Sequence, residues 1–182
     1  TGYGINTFKQ DSSCFISGID NQPKDSVVYG ALGRWIGIEA EQVEEIASAL
    51  MEIGFRFLWV VRALEKEKLP SNFVDETSEK GLVVTWSPQL EVLAHESVAC
   101  FVTHCGINSV MEALSLGVPM VAAPQLTDQP TNAKFIEDVW GVGVRAAADE
   151  NGIVRRDTLV SCITEIMEGE KGKQIKENGI KW

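Results

Sequence analysis

The chain has 182 residues, 45% hydrophobic and 8% aromatic, with a formal net charge of −10, a length that suits one domain with a full core. The acidic balance argues against nucleic acid or an anionic membrane as partner, because neutralising phosphates takes a basic face and the lysines and arginines are scattered among more numerous acids. No apolar run reaches the roughly 18 residues of a membrane span, and the start lacks the basic-then-apolar pattern of a secretory signal, so the chain reads as soluble; a cytoplasmic location and a monomeric state are the accompanying expectations. The four cysteines (Cys14, Cys100, Cys105, Cys162) have no CxxC spacing, which fits reduced thiols better than a disulfide framework.

Residues 1–25 are polar and turn-rich and read as a lead-in segment or the end of a linker; the domain proper spans 26–182. "SVVYGAL" is a β-branched strand, and "EAEQVEEIASALMEIG" sets Val43, Ile46, Ala47, Leu50 and Met51 at helical spacing. "FRFLWVV" is a second strand, "EKEKLPSNFVDETSEK" a charged loop with room for a short helix, and "GLVVTW" a third strand. "PQLEVLAHE" is a short helix with Pro88 near its start, then "VACFVTH" a fourth strand. "NSVMEALSLG" predicts a helix closed by Gly117, "VPMVAAP" a fifth strand, "QPTNAKFIEDVWG" a helix and "VGVRA" a sixth strand. "RRDTLVSCITEIMEG" is a last helix burying Leu159, Ile163 and Ile166. Strands alternating with helices, several of the strands apolar throughout, predict a doubly wound α/β fold with a Rossmann-like parallel sheet covered on both faces. Ligands bind such sheets at the carboxyl ends of their strands, which points to the loops after Leu32, Thr85, His104 and Ala123.

The loop after "VACFVTH" turns at Gly106 and enters a helix at Asn108 or Ser109. A helix N-terminus offers unpaired N–H groups and partial positive charge, which suits a phosphate. His104 can donate to a phosphate oxygen, and Glu112, one turn inside the helix, can accept from sugar hydroxyls. The plainer alternative is that Ser109-x-x-Glu112 is a capping box, satisfying the helix's own first N–H groups for about 1 kcal/mol. A Ser-His nucleophile lacks a G-x-S-x-G elbow, and His95, His104 and Cys105 lack metal-ligand spacing. The dinucleotide and P-loop fingerprints are absent, and "GVGVRA" falls in a strand pattern. Trp59 and Trp140 read as core, His95 as a structural hydrogen-bonding residue and "EKEKLP" as a solvated loop.

From Trp86 to Gln129 the chain reads "WSPQLEVLAHESVACFVTHCGINSVMEALSLGVPMVAAPQLTDQ". This closely resembles the signature box of plant secondary-product UDP-glycosyltransferases (glycosyltransferase family 1), with W-x-P-Q, H-C-G-x-N-S, E, G-V-P, P and a terminal D-Q in register. The resemblance extends through "EKGLVVTW" and "QPTNAKFIEDVWGVGVRA" to nearly the whole chain. It implies the C-terminal, donor-binding half of a GT-B fold, an inverting, metal-independent mechanism, UDP-glucose as donor substrate with no cofactor, and a small lipophilic plant metabolite as acceptor. By the same resemblance Trp86 stacks on uracil, the Ser87 backbone bonds the edge of the base, and Gln89 and Glu112 hold the ribose. His104, Gly106, Asn108 and Ser109 receive the diphosphate, and Asp128 and Gln129 bind the transferred sugar, the terminal glutamine favouring glucose.

This sequence departs from the family pattern in three places. Ile107 stands where the family usually has Trp lining the sugar-diphosphate pocket. Gly30-Ala31-Leu32-Gly33-Arg34 replaces V-S-F-G-S, so Arg34 takes the place of a phosphate-facing serine and either pairs with the diphosphate or blocks it. Leu126 stands where glucose-using relatives often carry Trp. Family members are also much longer. Their N-terminal half holds the acceptor pocket and the catalytic His-Asp pair, so the resemblance implies a donor-binding domain that is inactive alone. The rival expectation is a non-catalytic or engineered Rossmann-like scaffold that has lost donor binding.

Overall fold

The computed structural model describes residues 18–32 and 39–182. Arg34, Cys14 and most of the lead-in segment 1–25 lie outside the described residues. The β-branched and apolar runs become β1 (Val27–Ala31), β2 (Arg56–Val60), β3 (Gly81–Val84), β4 (Val98–Thr103), β5 (Met120–Ala122) and β6 (Gly143–Arg145). They form a 6-stranded sheet in the order β3-β2-β1-β4-β5-β6, every pairing parallel. Parallel neighbours need long crossovers. These are supplied by α1 (Ala40–Glu52), α2 (Phe73–Thr77), α3 (Gln89–Leu93), α4 (Ile107–Ser115) and α5 (Gln129–Lys134). Helices α6 (Arg156–Glu168) and α7 (Glu170–Gly179) follow β6. The charged loop before β3 holds a 3₁₀ turn, Ala63–Lys68, as well as α2.

Side chains alternate across the sheet. Val28, Phe57, Trp59, Cys100 and Val102 face one side, where α1, α2, α6 and α7 cover them with Val43, Leu50, Phe73, Leu159, Ile163 and Ile175. Val27, Tyr29, Leu58 and Phe101 face the other, under Val92, Leu93, Val110, Leu114 and Ala133 of α3, α4 and α5. With both faces covered, near-continuous apolar runs are what the strands require. Trp59 is core as expected, edge-on to Phe73 at 5.5 Å between ring centroids. Trp140 packs half-buried against the second face, beside Phe135. His95 is structural too: its Nδ1 lies 2.8 Å from the Ser97 hydroxyl and its Nε2 3.1 Å from the Asp20 carboxylate. No helix among the described residues is long and apolar enough to cross a membrane.

Two helices differ from the sequence expectation. The single helix expected over 129–141 is α5 followed by a wider π turn, Phe135–Val139, in which the Trp140 N–H reaches the Phe135 carbonyl at 2.8 Å. After α6 the chain breaks at Gly169 and restarts as α7. Any side chain at Gly172 would collide with the Ile166 carbonyl, so the close break between α6 and α7 depends on glycine there.

From β1 the sheet grows one way to β3, and from β4 the other way to β6. The crevice at the carboxyl ends of β1 and β4 is therefore the switch point at which doubly wound sheets bind ligands. Because every strand runs the same way, the loops after β3, β4 and β5 share that edge.

Candidate functional site

The centre of the site is the corner from β4 to α4. Cys105 sits at φ +66°, a conformation unusual for a side-chain-bearing residue. Its N–H donates to Thr103 Oγ1 (3.2 Å), its thiol to the Thr103 carbonyl (3.6 Å), the Ala123 backbone reaches the thiol from just past β5, and its own carbonyl accepts from Asn132 Nδ2 (2.9 Å). Gly106 then caps α4. A Cβ on it would come within 2.7 Å of His104 Nε2, so glycine leaves room for the ring. The first bond of the α4 ladder runs from the Val110 N–H to the Gly106 carbonyl, and no side chain caps the helix. The N–H groups of Ile107, Asn108 and Ser109 therefore point out of the sheet's carboxyl edge with the positive end of the helix dipole behind them.

The capping-box alternative does not form, because α4 starts at Ile107, before Asn108 and Ser109, and both box side chains turn to α3 instead. Gln89 Nε2 donates to Ser109 Oγ (2.9 Å) and to Glu112 Oε2 (2.7 Å), joining Gln89, Ser109 and Glu112 into one polar cluster. Beside it the chain leaves β3 through Trp86, partly exposed, and Ser87, buried. The Ser87 hydroxyl lies 2.9 Å from the Tyr29 phenol, which ties the β3–α3 loop to β1. Burial holds the Tyr29 phenol well above its ordinary range, and the charge of Glu112 adds to this.

On the other side of the corner stands the β5–α5 loop. Asp128 is exposed; its carboxylate accepts from the Thr127 hydroxyl (2.9 Å) and Asn132 Nδ2 (2.7 Å), and these bonds hold its pKa below the ordinary value, with a smaller contribution from His104. Gln129 is buried, and its Oε1 accepts from the backbone N–H groups of Gln125 (2.9 Å) and Leu126 (3.0 Å). Two backbone donors on one oxygen fix the direction of the amide, so only its NH₂ group remains for a ligand. His104 joins the two sides. Burial lowers its pKa, and the nearby Arg62 guanidinium lowers it further, while the Ala31 carbonyl and Asp128 pull the other way. Its Nδ1 is buried without a hydrogen bond of normal geometry, and the ring is neutral at pH 7.

Of the sequence-identified residues, Trp86, Ser87, Gln89, Ser109 and Glu112 gather on one side. His104, Gly106, Ile107 and Asn108 form the centre, and Asp128 and Gln129 the far side. Ile107 and Leu126 are about half exposed at the mouth. Sequence reasoning missed Asn132, Tyr29 and Arg62. Asn132 had a signal, lying four residues after Asp128 and so on the same helix face; the other two are brought in by the tertiary fold. Cys100, Cys105 and Cys162 are free thiols, and burial pushes those of Cys100 and Cys105 up to about 12.

The chain matches the family model for UDP-glucoronosyl and UDP-glucosyl transferases over residues 4–181. It is 51% identical over 178 residues to UDP-glycosyltransferase 74D1 of Arabidopsis thaliana, covering 97% of this chain and 39% of that protein. To flavonol 7-O-beta-glucosyltransferase UGT74F1 of the same plant it is 52% identical over 183 residues, covering 99% and 40%. Among solved structures, Os79 from O. sativa in complex with UDP superposes with a TM-score of 0.93 at 40% identity, covering 100% of this chain and 40% of that one. The chain thus spans about two-fifths of the length of the relatives it matches. Its Rossmann-like sheet is that of GT-B glycosyltransferases. On fold, signature residues and extended similarity together, the chain belongs to the UDP-glucoronosyl and UDP-glucosyl transferase family.

Proposed function

We propose that this chain binds the UDP-sugar donor of an inverting glycosyltransferase that moves glucose to a small lipophilic plant metabolite. The observation that carries the reading is the uncapped start of α4, flanked by the Gln89–Ser109–Glu112 cluster on one side and Asp128 with Gln129 on the other. That order matches the order of parts in UDP-glucose. Trp86 offers a flat face to uracil, the Gln89–Glu112 pair takes the ribose hydroxyls, the α4 N–H groups and His104 take the diphosphate, and Asp128 and Gln129 take the hexose. Relatives that bind UDP, such as Os79, support the nucleotide part of the reading.

In the reaction an acceptor oxygen attacks the anomeric carbon from the face opposite the diphosphate, inverting it, while a base takes the acceptor proton. Negative charge grows on the departing UDP, where the α4 N–H groups and His104 meet it. We assign the base and the acceptor pocket to the part of the relatives' length that this chain does not span. On this reading the chain alone, a monomer, binds UDP and transfers no glucose. Calorimetric titration with UDP tests it, together with a transfer assay using UDP-glucose and a phenol or carboxylic acid. No heat and no rise in melting temperature would leave a Rossmann-like scaffold without donor binding. Turnover by the purified chain alone would overturn the division of labour.

A further inference from the structure

Asn132 touches both limbs of the site without being part of either. It lies one turn inside α5, and its two amide hydrogens go to acceptors on different loops: the Cys105 carbonyl at 2.9 Å, in the β4–α4 corner, and Asp128 Oδ2 at 2.7 Å, in the β5–α5 loop. Each of these loops turns on a non-glycine residue with positive φ, Cys105 at +66° and Thr127 at +60°. Such conformations persist only where the surroundings over-determine them. Cys105 is gripped from β4 by Thr103, at its thiol by the Ala123 backbone, and at its carbonyl by Asn132 from α5. The Cys105 carbonyl shares its peptide plane with the N–H of the Gly106 cap, so a bond that holds this carbonyl fixes the plane from which the chain enters α4. The Asp128 carboxylate has one oxygen on the Thr127 hydroxyl and the other on Asn132, so its remaining lone pairs are aimed and not free to rotate.

We propose that Asn132 is a positioning residue that locks the diphosphate-binding start of α4 and the sugar-binding carboxylate of Asp128 into one fixed relation. This rests on the donor-binding reading above and adds a residue whose two amide hydrogens are both spent inside the protein. The uracil limb is held through Tyr29–Ser87, and the ribose carboxylate Glu112, although on α4, lies more than a turn beyond its start and is tied to α3 by Gln89. Asn132 therefore acts on some parts of the ligand and not on others, which a general loss of stability cannot imitate.

The experiment is a ladder of uridine, UDP and UDP-glucose titrated calorimetrically against the parent chain, Asn132→Ala and Asn132→Asp. Aspartate is nearly isosteric, so it leaves no cavity, yet it brings no donor and sets a second carboxylate against Asp128. The expected result is uridine affinity unchanged within about twofold. UDP should weaken by roughly tenfold or more, the scale of a lost charge-assisted hydrogen bond, and UDP-glucose should weaken further, with Asn132→Asp at least as impaired as Asn132→Ala. Equal weakening across all three ligands, or UDP binding unchanged in both variants, overturns the proposal. A ligand-free readout separates its failure from that of the donor-binding reading. By carboxyl NMR, Asn132→Ala should raise the titration midpoint of Asp128, and the amide signals of Gly106 and Ile107 should move while those of Val92 and Leu93 stay. If the parent chain binds neither uridine nor UDP, the donor-binding reading falls and this NMR comparison decides the coupling by itself: an unmoved Asp128 midpoint with unmoved Gly106 and Ile107 signals overturns it.

Discussion

With its carbonyl oxygen taken up by the Gln125 and Leu126 N–H groups, Gln129 has only its NH₂ group to offer a sugar hydroxyl. The family resemblance marks the residue as a sugar reader, and the geometry makes it a loop organiser as well, two roles that substitution can separate. In Gln129→Glu one carboxylate oxygen still accepts both backbone N–H groups, so the loop and the melting temperature should hold. The donor toward the sugar is replaced by an acceptor, so UDP-glucose should lose roughly 1–3 kcal/mol of binding while UDP is spared. Calorimetry with both ligands decides, and an equal loss for the two would reduce Gln129 to its structural role. Trp86 is a simpler case. Its place beyond the end of β3 and its partial exposure suit a stacking platform, so Trp86→Ala should weaken UDP by roughly 1–3 kcal/mol, the range for a base stacked on an aromatic side chain. Equal affinities in parent and variant would return Trp86 to the core.

At the scale of elements the decisive piece is α4 and the glycine that opens it. Gly106 has φ −61° and ψ 135°, which alanine tolerates, so the effect of a methyl group there is its approach to His104 Nε2 and not backbone strain. Gly106→Ala should therefore displace the imidazole and weaken UDP with little change in melting temperature. In the background of His104→Ala the same change should matter less, a non-additivity that a double-mutant cycle reads directly; additive losses would mean that the methyl acts on the ligand itself. The strands and most helices were legible because a sheet covered on both faces demands apolar runs, and helical spacing marks the faces between them. The start of α4 was less legible: Ser109-x-x-Glu112 has the spacing of a capping box, and only the neighbouring α3, through Gln89, draws both side chains away. The break at Gly169 rests on close backbone contact at Gly172, which periodicity does not register. Tyr29 reaches Ser87 and Asn132 reaches the Cys105 carbonyl far away in sequence, partners that no local pattern reports, whereas the Asn132–Asp128 pair has helical spacing.

The molecule as a whole fastens α6 over the sheet with a buried amide and a fork of charge. Gln42 donates to the Val154 carbonyl (2.9 Å) and accepts from its N–H (2.8 Å), while Arg155 gathers Glu41 and Glu45 of α1 with Asp149. Gln42→Leu would strand both backbone groups of buried Val154 and should lower stability by about 1–3 kcal/mol per group left unpaired, read by denaturant unfolding. Because this clamp lies across α1 and α6, UDP affinity of the folded fraction should not change; a parallel loss of affinity would mean that the clamp reaches the site.

On the proposed donor-binding reading, a molecule with a net charge of −10 holds an anionic ligand, which concentrates the electrostatics on the corner where His104 sits. Burial first, and then Arg62, depress its pKa below the ordinary 6.5, so between the folded value and 6.5 the folded ligand-free chain keeps the ring neutral while an unfolded chain would protonate it. The folded pKa being the lower one, the stability linked to His104 is fully present above 6.5 and declines as the pH falls through 6.5 toward the folded value. A diphosphate beside the ring reverses the preference and raises the pKa, so between the free and bound values binding must take up a proton. UDP affinity should therefore gain relative to uridine as the pH is lowered from about 8 toward about 6. Calorimetry in buffers of different ionisation enthalpy should show net proton uptake. His104→Gln keeps a donor but cannot titrate, so it should lose the uptake and retain only the pH dependence of the phosphate itself. Identical proton uptake in His104→Gln and the parent chain would place the titrating group elsewhere and leave His104 as a neutral donor to the diphosphate.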